Sequence, residues 1–156
     1  MLICTDIIGT TLILIATNAF DAYKSATGAV LDNRTGLLRL TTTQFNNLKD
    51  LTFVIGGVCI LSCSFGVEMF IYLLFFDQTS FVLTPNGQIW PRNLNADIGG
   101  VASDVYLIVG NIGRNSGSGL DFVNGQTFLE RFYAVFDTAN KRVGIATTSF
   151  TDATTN

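Results

Sequence analysis

Histidine is absent from these 156 residues. Without it no Ser-His-Asp triad, histidine general base or ordinary zinc site can be assembled, which leaves carboxylates as the main hydrolytic groups. Charge is scarce as well. Asp, Glu, Lys and Arg make up 13% of the chain, about half the share usual in soluble proteins. Nine basic residues against twelve acidic ones give a net charge of −3 and no basic run, which argues against nucleic acid as a partner. Cysteine is limited to Cys4, Cys59 and Cys63, with one C-x-x-x-C spacing and no second pair. They read as buried thiols rather than metal ligands or disulfides, so no metal and no cofactor is expected.

What the chain has in quantity is apolar surface. Apolar residues reach 48%, so much of the chain must be buried or lie against something apolar. Its length suits one compact domain, which would bury roughly 70% of its unfolded surface. An acidic, lysine-poor composition suits work at low pH. The sequon Asn33-Arg34-Thr35 is an acceptor for N-linked sugar only if the chain is secreted.

The local pattern is mostly that of short strands. Thr10 to Ala16 alternates threonine with aliphatic residues and predicts a strand; Leu37 to Thr42 and Leu51 to Ile55 predict two more, separated by a polar turn around Gln44 to Lys49. A short helix is expected over about Asn18 to Ala26, with Asn18 and Asp21 as a capping pair and Ala19, Phe20, Tyr23 and Ala26 at helical spacing before Gly28. Gly56-Gly57 signals a tight hairpin, yet the returning strand, Phe81 to Thr84, comes only after a long apolar block. Ile89-Trp90-Pro91 marks a loop, Asp104 to Val109 a strand and Gly113 to Gly119 a turn region. Phe132 to Phe136 and Arg142 to Ala146 predict a final hairpin around Thr138-Ala139-Asn140.

Two of these segments carry a family resemblance. The run GLDFVNGQTFLERFYAVFD, 119–137, followed by KRVGIA, 141–146, closely resembles the end of a pepsin-like aspartic protease, where the motif is Ile-Leu-Gly-Asp-x-Phe-Leu-x-x-x-Tyr-x-x-x-x-Asp. Gly9-Thr10-Thr11 and the aliphatic residues up to Ala16 resemble the stretch after the second catalytic aspartate, Asp-Thr/Ser-Gly-Thr. Both motifs stand in family order, in particular that of the secreted fungal, polyporopepsin-like branch. The resemblance runs from Gly9 to Asn156 apart from the block near Cys59 to Ser80, and Met1 to Ile8 fits nowhere. It implies a mostly β fold with short helices: the C-terminal lobe of a two-lobed acid protease, one partial domain over 1–156, with 59–80 as an aberrant apolar insertion and no first lobe or flap.

The same resemblance implies the chemistry. In that family two aspartates, one from each lobe, share a proton and activate water against a peptide bond. Here the expected aspartate position is Ile7 and the following hydroxyl position Ile8, while Asp6 lies one residue too early. Gly9 and Thr10 match the residues that support the catalytic carboxylate, and Thr11 matches a neighbour that lines the substrate cleft. Polypeptide is therefore the expected substrate when a complete first lobe is present, and the chain alone is expected to be inactive. The other acids, Asp97, Asp104, Asp121, Asp137 and Glu130, include no evident second dyad; Asp137 and Glu130 read as solvated structural acids.

The block Val58 to Phe76 is long enough to cross a bilayer. Its eleven Leu, Ile, Phe and Val residues favour insertion by roughly 3 to 7 kcal/mol, against about 3 kcal/mol for the acid Glu68. Hydropathy thus permits a noncatalytic single-pass membrane or interaction protein using 58–76, though a span there would part the strands on either side and is not favoured. Translated intron is the preferred reading and a surface insertion the remaining one. Joining Val58 to Phe81 restores an ungapped hairpin, and Val58-Cys59 can be encoded by a common intron donor sequence. The family resemblance implies an extracellular enzyme, yet Met1 to Ala16 has no basic start and carries Asp6, a poor signal peptide.

Overall fold

The computed structural model describes residues 9–55, 79–140 and 142–155. Cys4, Asp6, Cys59, Cys63, Gly56-Gly57 and the whole apolar block Val58 to Phe76 lie outside them. The described chain is mostly β, as expected, with ten strands in four small sheets, three short α-helices and two 3-10 helices among these residues. Strand β1 (Ile13–Ile15) lies at the centre of the first sheet. It pairs in parallel with β7 (Val109–Asn111) and antiparallel with β8 (Phe122–Val123). The second sheet runs β2 (Val30–Leu31), β3 (Leu38–Leu40), β6 (Val105–Leu107). The other two are hairpin-like pairs: β4 (Leu51–Ile55) with β5 (Thr79–Leu83), and β9 (Phe132–Asp137) with β10 (Arg142–Thr147).

Alternating side chains explain which face each strand buries. Ile13 and Ile15 point into a core that holds Phe53, Phe81, Leu83, Ile108, Phe128 and Phe132. The rings meet edge-on or tilted, with centroids 5.5 Å apart for Phe81 and Phe132 and 5.7 Å for Phe53 and Phe128. A second cluster gathers Leu38, Leu40, Ile89, Val105 and Leu107. Helix α1 (Thr17–Thr27) joins the two, because Phe20 and Tyr23 pack against both clusters. The Tyr23 hydroxyl donates to Gln88 Oε1 at 2.9 Å, and Gln88 Nε2 donates in turn to the carbonyls of Lys49 and Leu83. Burial pushes the Tyr23 phenol far above its ordinary pKa, so it remains a donor.

Several expectations change. The capping residue of α1 is Ala16, without a side-chain cap; Asn18 instead exchanges two hydrogen bonds with Ser116, and the Thr17 N–H donates to the Arg114 carbonyl. The loop 111–121 thus supplies what Asn18 and Asp21 were expected to supply. Ala19 and Ala26 are exposed, leaving Phe20 and Tyr23 as the packing residues. Where a polar turn was expected around Gln44 to Lys49, helix α2 (Thr42–Asn46) occupies the first half, set by a capping box in which Thr41 and Gln44 satisfy each other's backbone N–H groups. The strand expected over Asp104 to Val109 is two strands in different sheets. They part at Ile108, whose N–H donates to Gln88 and whose carbonyl accepts from Ile13.

The returning strand begins at Thr79, two residues before the expected Phe81, with Phe53 facing Phe81 and Ile55 facing Thr79. This pairing corrects the membrane alternative. Paired strands lie about 5 Å apart, whereas a single span separates its ends by the roughly 30 Å of a bilayer core. With Ile55 and Thr79 held side by side, one crossing between them does not fit this fold. Among the described residues no helix is long and apolar enough to cross a membrane.

Arg131, buried at the start of β9, closes the lobe. Its guanidinium donates to the carbonyls of Ala153 at 2.7 Å and Phe150 at 3.2 Å, and its own carbonyl accepts from Thr151 Oγ1 at 2.6 Å. Those bonds fasten residues 148–154 to the body of the lobe.

Candidate functional site

The segment that leads into β1 is where the motif residues fall. Gly9 is exposed in a turn, Thr10 is half-buried and Thr11 is exposed. Main-chain carbonyls hold this loop. Thr10 O accepts the Gln126 N–H at 2.9 Å, while Thr11 O accepts both the Thr127 N–H at 3.1 Å and the Thr127 hydroxyl at 2.8 Å. The donors belong to the first turn of α3 (Gln126–Leu129), where backbone N–H groups have no partner inside the helix and face outward.

Gly125 makes that docking geometrically feasible. A β-carbon there would lie 2.5 Å from the Thr10 carbonyl oxygen and closer still to that of Leu12. Only a residue without a side chain lets the start of α3 lie against the loop. Gly125, Gln126 and Thr127 were not singled out as site supports from sequence, although Val123-Asn124-Gly125, which matches the motif's Ile-Leu-Gly at its first and third positions, was the available signal.

Asn124, next to Gly125, occupies the place of the motif's leucine. It is fully buried, and among the described residues neither its Oδ1 nor its Nδ2 has a hydrogen-bond partner. A buried carboxamide in that state costs roughly 1–3 kcal/mol.

The remaining acids are engaged locally. Glu130 accepts from Gln126 Nε2 at 3.1 Å, Asp137 accepts from the Asn140 backbone and side chain, and Asp121 accepts the Gly117 N–H at 2.6 Å. Asp97 is exposed. Asp104 shares a partner with an acid not considered from sequence: the buried Tyr106 hydroxyl lies 3.1 Å from Asp32 Oδ2 and 3.4 Å from Asp104 Oδ2. The Arg34 N–H, followed by Tyr106 and the charges of Arg34 and Arg39, holds the Asp32 carboxyl below the usual range, overcoming the opposing effect of desolvation. No group of three or more acids and cysteines among the described residues is placed to hold a metal. A cavity of about 280 Å³ between α1, α2 and Leu51 is lined by none of Gly9, Thr10 and Thr11.

This arrangement, a central strand clasped by one parallel and one antiparallel neighbour with a glycine pressed beneath the loop ahead of it, can be set beside known proteins. Residues 4–148 match the family described as eukaryotic aspartyl protease. That span begins ahead of Gly9, so the match takes in part of the Met1 to Ile8 stretch that fits no motif by inspection. Polyporopepsin of Irpex lacteus is 62% identical over 148 residues, which cover 95% of this chain and 37% of that protein. Gastricsins of Callithrix jacchus and Homo sapiens are 29% identical over 139 residues, covering 28% of each. The crystal structure of the aspartic proteinase from Irpex lacteus matches with a TM-score of 0.80 at 59% identity, over 97% of this chain and 39% of that one. The chain thus spans well under half the length of these relatives, a share that fits one lobe of a two-lobed fold. It belongs to the eukaryotic aspartyl protease family.

Proposed function

We propose that this chain is the C-terminal lobe of a pepsin-like aspartic endopeptidase and supplies one wall of a cleft that hydrolyses polypeptides in acid. The observation that carries this reading is the loop at Gly9 to Leu12, fixed through the Thr10 and Thr11 carbonyls by α3 and made accessible by Gly125. Such rigidity is what a paired-carboxylate mechanism requires. Two carboxylates about 3 Å apart share one proton, as in pepsin, because like charges so close cannot both ionise. The ionised member draws a proton from water as the oxygen attacks the peptide carbonyl, and the protonated member delivers its proton to the departing amide.

In this reading each lobe brings one carboxylate, so the lobe acts only beside a first lobe. Gly9 and Thr10 support the carboxylate, Thr11 lines the cleft, and Asp6 is the acid nearest the motif position although one residue displaced. Polypeptide is the substrate, the secretory route the destination, and neither a metal nor a cofactor takes part. The test is hydrolysis of a denatured protein at about pH 3 to 5, with a transition-state inhibitor of pepsin-type enzymes as control. The chain alone is expected to show no inhibitor-sensitive turnover, and turnover by it would overturn the half-site reading. Fused behind a first lobe it is expected to gain activity only through Asp6 as the second carboxylate; an active fusion unaffected by Asp6→Asn would remove Asp6 from the site.

A further inference from the structure

The turn between β2 and β3 consists of Asn33, Arg34, Thr35 and Gly36, which contains the chain's one Asn-x-Ser/Thr sequence. It is a closed and well-defined turn. The Asp32 N–H donates to the Leu37 carbonyl at 2.9 Å, the Gly36 N–H donates to the Asp32 carbonyl at 2.8 Å, and Gly36 takes the left-handed conformation at φ 72°. Asp32 Oδ1 accepts the Arg34 N–H at 2.9 Å and Thr35 Oγ1 accepts the Leu37 N–H at 3.2 Å. These bonds fold the turn without using the Asn33 carboxamide, and Asn33 is exposed.

The strand beside this turn exposes two aliphatic residues. β2 is the edge strand of its sheet, and its two residues, Val30 and Leu31, are 61% and 47% exposed. Val101, 40% exposed, is tied to the base of the turn: its N–H donates to the Tyr106 hydroxyl, which contacts Asp32. An exposed edge with aliphatic residues invites pairing with another chain unless something covers it. β2 itself carries no lysine, proline or bulge, and the one charged residue in register with it is Arg39, opposite Val30. Asn33, two residues beyond Leu31, is exposed.

We propose that Asn33 is an N-glycosylation site and that its oligosaccharide covers the apolar edge formed by Val30, Leu31 and Val101. The donor class is a lipid-diphosphate-linked oligosaccharide. The Asn33 carboxamide nitrogen bonds to the anomeric carbon, the bond from that carbon to the lipid diphosphate breaks, and the nitrogen loses one proton. No oxidant or reductant enters. The inference rests on the secretory destination proposed above and is independent of the catalytic reading.

The experiment expresses the full chain behind a cleavable secretion leader in yeast, with the mature peptides mapped by mass before and after an N-glycan-releasing amidase. Sugar is expected on the peptide containing Asn33 and is expected to vanish in Asn33→Gln and in Thr35→Ala. A leader-cleaved chain with bare Asn33 overturns the site. The covering role is read from the soluble fraction: Asn33→Gln is expected to aggregate, and adding Val30→Thr and Leu31→Thr to it is expected to restore solubility. Unchanged solubility of Asn33→Gln overturns that role. Peptidase activity enters neither readout, so a failed protease reading would appear separately in the acid assay.

Discussion

Gly125 is pressed so closely beneath Thr10 that a β-carbon on it would stand 2.5 Å from the Thr10 carbonyl oxygen. The atoms it would strike are backbone atoms, which cannot swing aside as the end of a long side chain can. Gly125→Ala is therefore expected to push α3 away from the loop and to destabilise the lobe by about 1–3 kcal/mol, the usual range for overpacking. Thermal unfolding measures the loss. Hydrogen exchange adds location: the amides of Gln126 and Thr127, which donate to Thr10 and Thr11, should lose protection first.

Asn124 predicts the opposite sign at the neighbouring position. Its carboxamide is buried and has no partner among the described residues, so Asn124→Leu removes a desolvated polar group and leaves a side chain of similar size. A gain of roughly 1–3 kcal/mol in unfolding free energy is expected from denaturant titration. A clear loss of stability instead would mean that the carboxamide is engaged in solution.

Much of this fold could be read in advance where a segment states its own structure. Leu51 to Ile55 and the strands around Thr138 to Asn140 alternate and carry β-branched or aromatic residues, and they lie where expected. Helix α2 was illegible because five residues are too few for a helical period, and the Thr41 and Gln44 capping pair precedes no apolar run. The break at Ile108 has no local mark. Val105 to Val109 is uniformly aliphatic or aromatic, and only the distant partners Leu38 and Ile13 decide which residues join which sheet. The site followed the same rule. Gly9, Thr10 and Thr11 were visible as a motif, whereas their hold on Gln126 and Thr127 depends on a contact across most of the chain.

Asp32 gives the lobe a pH dependence whose sign is fixed. The Arg34 N–H, with Tyr106 and the two arginines, holds its folded pKa below the unfolded value. Its stabilising contribution is therefore complete above the unfolded pKa of about 3.9 and fades as pH falls from there through the folded pKa. Asp32→Asn should be less stable than the parent chain at neutral pH, and the gap should close in strong acid. Tyr106→Phe, which removes the phenol hydroxyl from Asp32, should narrow the same window. Unfolding curves across that acid range test both; a gap that widens toward low pH contradicts the assignment.

The register of β4 and β5 bears on the block between them. Phe53 faces Phe81 and both rings are buried, while Val54 and Val82 are exposed, so any shortened connection must keep this register to keep the aromatic core. Removing 59–80 places Val58 directly before Phe81 and therefore opposite Val54, with Ile55, Gly56 and Gly57 left as the loop. Three-residue hairpin loops favour a glycine in the left-handed conformation at their last position, and Gly57 falls there. A deletion one residue longer or shorter would lack this fit. The 59–80 deletion is accordingly expected to fold cooperatively, with higher solubility than the full chain and Phe53 and Phe81 still packed against Phe128. Sedimentation and thermal unfolding of both forms are the measurements. An aggregating deletion beside a monomeric full chain would make the block a structural part of the lobe and would reject its reading as translated intron.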